Sequence, residues 1–221
     1  MMRIFFLLLV TCTNSLMHAL PSGLRYQTLE RNTPLIIHIV EVDPSKIKIL
    51  PHHAGNEILA LETTSSIAKK TGAIVAINGG FFRAQGPYRG TSAGTLRIEG
   101  EWYSSPRFNR GAIGWRQSED LQISQTAIDR IALDMTLFLP NAHLPIHGIN
   151  QPSSSTSAIL YTSRFHSTTL TSSAFSEATV ASDGSYHVRT GPSRIPSDGY
   201  VYSSDQDLEG RAISYFLFRK K

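Results

Sequence analysis

The sequence predicts an α+β fold: a strand-dominated mixed sheet with one well-marked helix near residues 63–72. Three observations carry this reading. Charged residues make up 17% of the 221-residue chain, below the usual quarter, while serine and threonine are plentiful. Short β-branched runs alternate with Gly, Pro, Asn and Asp clusters along most of its length. A single stretch, TTSSIAKKTG at 63–72, carries both the start and the stop signals of a helix.

The chain divides into a leader, residues 1–19, and a single domain, residues 20–221. MMRIFFLLLV gives a basic start and an apolar run from Ile4 to Val10; TCTNSLMHA then ends in a small residue at Ala19. This is the grammar of a signal peptide. The apolar run is too short to span a bilayer, so no transmembrane segment is expected. An exported protein follows, periplasmic or extracellular after cleavage. LVTC around Cys12 is a weak match to a lipoprotein site and leaves lipid anchoring open. Cys12 is the only cysteine, so cleavage after Ala19 leaves none, which excludes disulfides, thiolate metal sites and cysteine nucleophiles.

PLIIHIVEVD at 34–43 reads as a strand, Asp43-Pro44-Ser45 as a turn, and KIKIL as a second strand of period two, together a hairpin. Thr64 or Ser65 can cap the helix, Lys69 and Lys70 suit its C-terminal dipole end, and Gly72 can close it. AIVAI at 73–77 is apolar on both faces and reads as a strand in the middle of a sheet. Further strands are expected in TLRIEG, GAIGWR, LQISQT, RIALDMTLFL, AILYT, EATVAS, YHVRT, SDGYVYS and AISYFLF. Asp183-Gly184 forms a hairpin turn between EATVAS and YHVRT.

The net charge of +4 is mild, and no Lys/Arg cluster is interleaved with aromatics outside the C-terminus, so no nucleic-acid partner is expected. No cofactor motif appears: there is no Walker loop, no complete G-x-G-x-x-G after a strand and no G-x-S-x-G. No metal is expected either, since His52 and His53 are adjacent and Pro145 spoils a helical pair of His143 with His147.

Chemistry concentrates at INGGFF. Asn78 ends the apolar run, and Gly79 and Gly80 can take positive φ and admit a ligand to the backbone. A plain Asn-Gly turn is the alternative. Phe81 and Phe82 alternate in direction, so one of them lines a pocket; Phe82 is the candidate. Arg83 and Arg89 lie in the following Gly-rich loop and Arg97 just beyond, guanidinium groups suited to phosphate or carboxylate. His147 in the long loop 141–157 is a further candidate.

Six segments occur in a particular order: VEVDPSKIKIL, GAIVAINGGFF, AGTLRIEGEW, GINQPSSSTSAILYTSRF, FSEATVAS and RIPSDGYVYS. In this order they resemble the phosphodiester glycosidase family, enzymes of the type that remove N-acetylglucosamine from phosphodiester-capped mannose. The resemblance covers residues 35 to about 204. It implies a carbohydrate or sugar-phosphate ligand and hydrolysis of a sugar 1-phosphodiester. It also implies Glu177 and Asp198 as the catalytic carboxylates, with Asn78, Gly79, Gly80, Phe82, Arg83, Arg89, Arg97, His147 and Asn150 toward the substrate. Such a substrate carries its own good leaving group, so phosphate contacts and one carboxylate are the main needs. The family's Asp-Gly-Gly-Gly-Ser segment is missing from this sequence. The resemblance therefore implies an incomplete family domain, completed by a second polypeptide, or an inactive relative that binds glycans.

Overall fold

The computed structural model describes residues 20–31, 35–55, 57–106, 111–117, 123–130, 135–139, 142–154, 157–208 and 217–218. The expected signal peptide, residues 1–19, and the basic tail Arg219–Lys221 lie outside them. The chain forms two compact units, residues 1–49 with 116–124 and residues 50–115 with 125–221.

In the first unit, β1 (Leu24–Arg31) and β2 (Leu35–Val42) pair antiparallel, with Leu24 opposite Val42 and Arg31 opposite Leu35. The expected hairpin between β2 and KIKIL does not form. Asp43 Oδ1 accepts from the Ser45 backbone N–H at 3.0 Å and its hydroxyl at 2.6 Å. The N–H groups of Lys46 and Ile47 both donate to the Asp43 carbonyl at 3.0 Å. This coils the chain at Asp43 and draws KIKIL away from β2, so the strand LRYQTLER upstream takes the pairing instead.

In the second unit, α1 (Thr64–Thr71) is the helix expected near 63–72. Its N-cap is Thr63, one residue before the expected Thr64, with Ser66 N–H donating to Thr63 Oγ1 at 3.3 Å. Gly72 closes it at φ 67°. Lys70 reaches back to Glu62 at 2.6 Å. The helix buries no residue.

The strands β3 (Leu96–Ile98) and β4 (Glu101–Ser104) make a hairpin. β5 (Gly111–Gln117) and β6 (Ile123–Arg130) form a two-stranded sheet. β7 (Met135–Leu139), β8 (Ala142–Ile146) and β14 (Leu217–Phe218) form a sheet of three in the order β14-β7-β8. The main sheet is built from β9 (Gly148–Ile149), β10 (Ile159–Thr162), β11 (Ser176–Val180), β12 (Tyr186–Thr190) and β13 (Tyr200–Ser204). Its order is β12-β11-β13-β10-β9, with only the β9–β10 pair parallel. Asp183-Gly184 makes the β11–β12 turn as expected, and Ser185 N–H donates to Asp183 Oδ1 at 2.8 Å.

Strand alternation gives this sheet two apolar faces. Leu160, Ala178 and Tyr202 point to one, packing with Leu144, Ile146 and Leu208. Ile159, Tyr161 and Val201 point to the other, packing with Phe165 and Ile195. The core is thus sheet residues and loop residues, without a helical layer. A single eight-residue helix that buries nothing, against fourteen strands among the described residues, makes the fold mostly β and corrects the α+β expectation.

AIVAI is also corrected. Residues 73–77 form no strand among the described residues, and Ile74 and Ile77 are exposed. The apolar pattern suits a central strand, but no described strand lies beside it to bond its backbone.

Candidate functional site

A cleft of about 470 Å³ opens where two loops of the second unit meet. One loop follows β10 and the other leads into β13. They zip together through Ile195 N–H to the Ser167 carbonyl and Thr169 N–H to the Ser193 carbonyl, both at 3.0 Å. The buried Ile195 anchors the second loop in the core and turns its neighbours Arg194 and Ser197 outward. A turn before the helix adds Glu57, held there because the buried Ile58 bonds to the Arg164 carbonyl at 3.0 Å.

The polar side chains of the cleft are Glu57, His166, Ser167, Arg194, Ser197 and Asp198. His166 Nδ1 accepts the Thr168 backbone N–H at 3.2 Å, which leaves the proton on Nε2. That nitrogen faces Glu57 at 3.9 Å. Arg194 is exposed, and its guanidinium makes no hydrogen bond or ion pair with any described residue. Asp198 accepts the Ser182 hydroxyl at 2.5 Å and is otherwise open. A free guanidinium and an imidazole on one side, with two carboxylates and serine hydroxyls around them, suit a polar ligand that carries an anionic group.

Glu177 is placed differently. It is 0% exposed, in the middle of β11, on the face shared with Tyr161 and Val201. Thr169 donates to one carboxylate oxygen at 3.1 Å and Thr171 to the other at 2.7 Å. Thr169 Oγ1 also accepts the Ser193 N–H at 3.1 Å, so Glu177 reaches the cleft's second loop through one threonine. The phenols of Tyr88 and Tyr161 lie beside this cluster and donate to the Leu170 and Gln151 carbonyls, each at 3.0 Å. Burial pushes both phenols above their ordinary value, so they stay neutral donors.

Of the residues expected to bind substrate, none lines this cleft. Asn78, Gly79 and Gly80 are exposed, and nothing lies within 4 Å of a Cβ built on either glycine. Neither glycine has positive φ, which corrects the expectation of a left-handed turn there. Phe82 is exposed and bridges Ser92 across the loop. Arg83 and Arg89 are exposed on that loop, which is fastened by Gly90 N–H to the Arg83 carbonyl at 2.8 Å. Arg97 donates to the Gly100 carbonyl at 2.9 Å and lies over Trp102 at 5.1 Å, a contact within its own hairpin.

His147 Nδ1 accepts the Ala158 N–H at 2.9 Å, splicing the long loop onto β10. Asn150 is fully buried at φ 52°. Its amide donates to the Trp102 carbonyl at 3.1 Å and Thr162 Oγ1 at 2.8 Å, and accepts the Thr162 N–H at 2.8 Å. Both groups therefore hold the sheet's β9 edge together. Only Asp198 among the expected site residues faces the cleft.

Sequence reading passed over Glu57, His166 and Arg194. Arg194 stands directly before IPSDG, the segment that gave Asp198, and an arginine four residues from a candidate carboxylate was the available signal. Glu57 and His166 lie 109 positions apart and meet only through the Ile58–Arg164 bond.

No protein-family model matches the chain, and no curated protein matches it. Among solved structures it is similar to a hypothetical protein from Synechocystis, with a TM-score of 0.58 and 18% identity. The match covers 90% of this chain and 44% of that one, so the chain spans less than half the length of the solved structure whose fold it shares.

Proposed function

We propose that this chain is an exported protein of the phosphodiester glycosidase type, which takes a sugar 1-phosphodiester in the cleft at Asp198. The observation that carries the proposal is the meeting of Asp198, from the segment resembling the family's Ile-Pro-x-Asp-Gly-x-Val, with Arg194 and His166 around one cleft. In this reading Arg194 and the Nε2–H of His166 hold the phosphate, and the serine hydroxyls and Glu57 bind sugar hydroxyls. Asp198 accepts a proton from the attacking water or supports the oxocarbenium-like transition state. The phosphate leaves with the bonding electron pair and needs no strong general acid. Glu177 is a positioning residue: its two threonine bonds fix the loop carrying His166 against the loop carrying Arg194.

The test is release of free sugar from an N-acetylglucosamine 1-phosphodiester by folded, purified protein. Release that is lost in Asp198→Asn while the melting temperature holds supports the proposal. Absence of release, with the sugar phosphate still retained at the cleft, replaces hydrolysis by the second reading, a glycan-binding relative. That reading is favoured by the burial of Glu177, the carboxylate expected to act first, away from the cleft.

A further inference from the structure

We propose that residues 73–82 are an acceptor segment for an uncharged β-strand supplied by a partner polypeptide, which pairs with this backbone and covers its apolar side chains. Five large apolar side chains stand in solvent here: Ile74 at 61%, Val75 at 42%, Ile77 at 84%, Phe81 at 84% and Phe82 at 53% exposure. Scattered exposed apolar residues are ordinary, but five within nine consecutive positions form a patch of the kind that marks an interaction site. The backbone is equally open. Ala73 N–H bonds back to Ala68 and the Phe81 carbonyl accepts from Ala93, while residues 74–80 make no hydrogen bond with any described residue.

Chemistry selects the occupant. The run TGAIVAINGGFF from Thr71 to Phe82 holds no charge, so a partner strand meets nothing to pair a charge with, and burying one there is costly. Extended, the segment puts Ile74 and Ala76 on one side and Val75 and Ile77 on the other, apolar on both faces as in a strand flanked by neighbours. A second copy of this chain pairing through the same segment covers one edge and leaves the other open. Strands from a different polypeptide can cover both. The solved structure from Synechocystis carries more than half its length beyond the part this chain matches, so the shared fold has room for such strands.

The inference stands apart from the sugar-phosphate reading, because strand pairing and sugar release are read separately. The experiment follows amide exchange and chemical shifts of residues 73–82 by nuclear magnetic resonance. The probe is an uncharged synthetic peptide of alternating valine and threonine; its control is the same peptide N-methylated at every residue, which blocks both edges. The expected result is shift changes confined to 73–82 and exchange at 74–80 slowed about tenfold or more, with the unmethylated peptide only. Ile77→Lys, at a site exposed enough to leave the fold intact, should abolish the effect without moving the melting temperature. Failure of the peptide to perturb 73–82, or equal effects of both peptides, overturns the proposal. So does a concentration-dependent dimer in which 74–80 are already protected, which makes a second copy the occupant.

Discussion

Thr171 donates its hydroxyl to the Glu177 carboxylate at 2.7 Å, inside a sheet where that carboxylate has no exposure. The bond stabilises a buried charge that no cation among the described residues pairs. Thr171→Val should therefore cost about 1.5–3 kcal/mol, the range for a hydrogen bond to a charged group. Glu177→Gln, which removes the charge and keeps the shape, should cost less. Urea midpoints of the two variants check the order; a larger loss in Glu177→Gln would mean that the charge itself is needed there.

Asn150 separates a structural amide from a ligand-binding one. Asn150→Ala removes three bonds and puts alanine at φ 52°, and should destabilise by roughly 3 kcal/mol or more. Asn150→Gly keeps the backbone conformation and should recover about 1 kcal/mol of that loss. Thermal melts of the pair decide. Near-native stability in both variants would return Asn150 to the substrate-binding role expected from sequence.

Asp198 and Arg194 are exposed, and substitution of either should leave stability within about 0.5 kcal/mol. Arg194→Gln should weaken retention of a sugar 1-phosphate at least tenfold, and Asp198→Asn should leave retention intact while removing turnover. Calorimetry with glucose 1-phosphate and a sugar-release assay read the two effects. Unchanged retention in Arg194→Gln would detach the anion from this cleft.

Gly90 cannot be replaced cheaply. It sits at φ 97°, and a Cβ there would stand 2.5 Å from the Leu59 carbonyl oxygen. Gly90→Ala should cost about 2 kcal/mol or more, since both the conformation and the contact oppose it. The melting temperature measures this; a drop below two degrees would mean that the 57–60 turn yields freely.

Tyr88, Tyr161 and Tyr200 have phenols raised above 10.0 by burial. In the unfolded chain they lose their protons from about pH 10, whereas the folded chain keeps them. The folded state then binds more protons, so its stability is full below pH 10 and falls as pH rises through the folded-state values. Urea midpoints between pH 9 and 11.5 should decline, and the decline should be shallower in Tyr161→Phe. A flat profile would mean that these phenols titrate as free tyrosines.

Local signals carried much of the strand pattern. LIIHIVEV, AILYT, EATVAS and YHVRT became strands because β-branched runs bounded by turn residues have few other ways to satisfy their backbone. The β11–β12 hairpin was legible in Asp183-Gly184. What failed was long-range. KIKIL has a strand's alternation, but the bonds of Asp43 turn it aside. AIVAI has a central strand's composition, yet composition cannot supply the neighbours that a central strand requires.

The sequence by itself determined the helix at 64–71, through Thr63, Lys69, Lys70 and Gly72, because capping is settled within a few residues. It also determined which residues can carry charge near Asp198, since Arg194 precedes it in the same loop. Only the tertiary structure decided that Glu177 is enclosed and Asp198 open. Both are acids next to β-rich segments, and burial depends on which strands lie on either side. β11 lies between β12 and β13 and packs Glu177 against the loop of Thr169 and Thr171, whereas Asp198 lies on a loop that only Ser182 reaches.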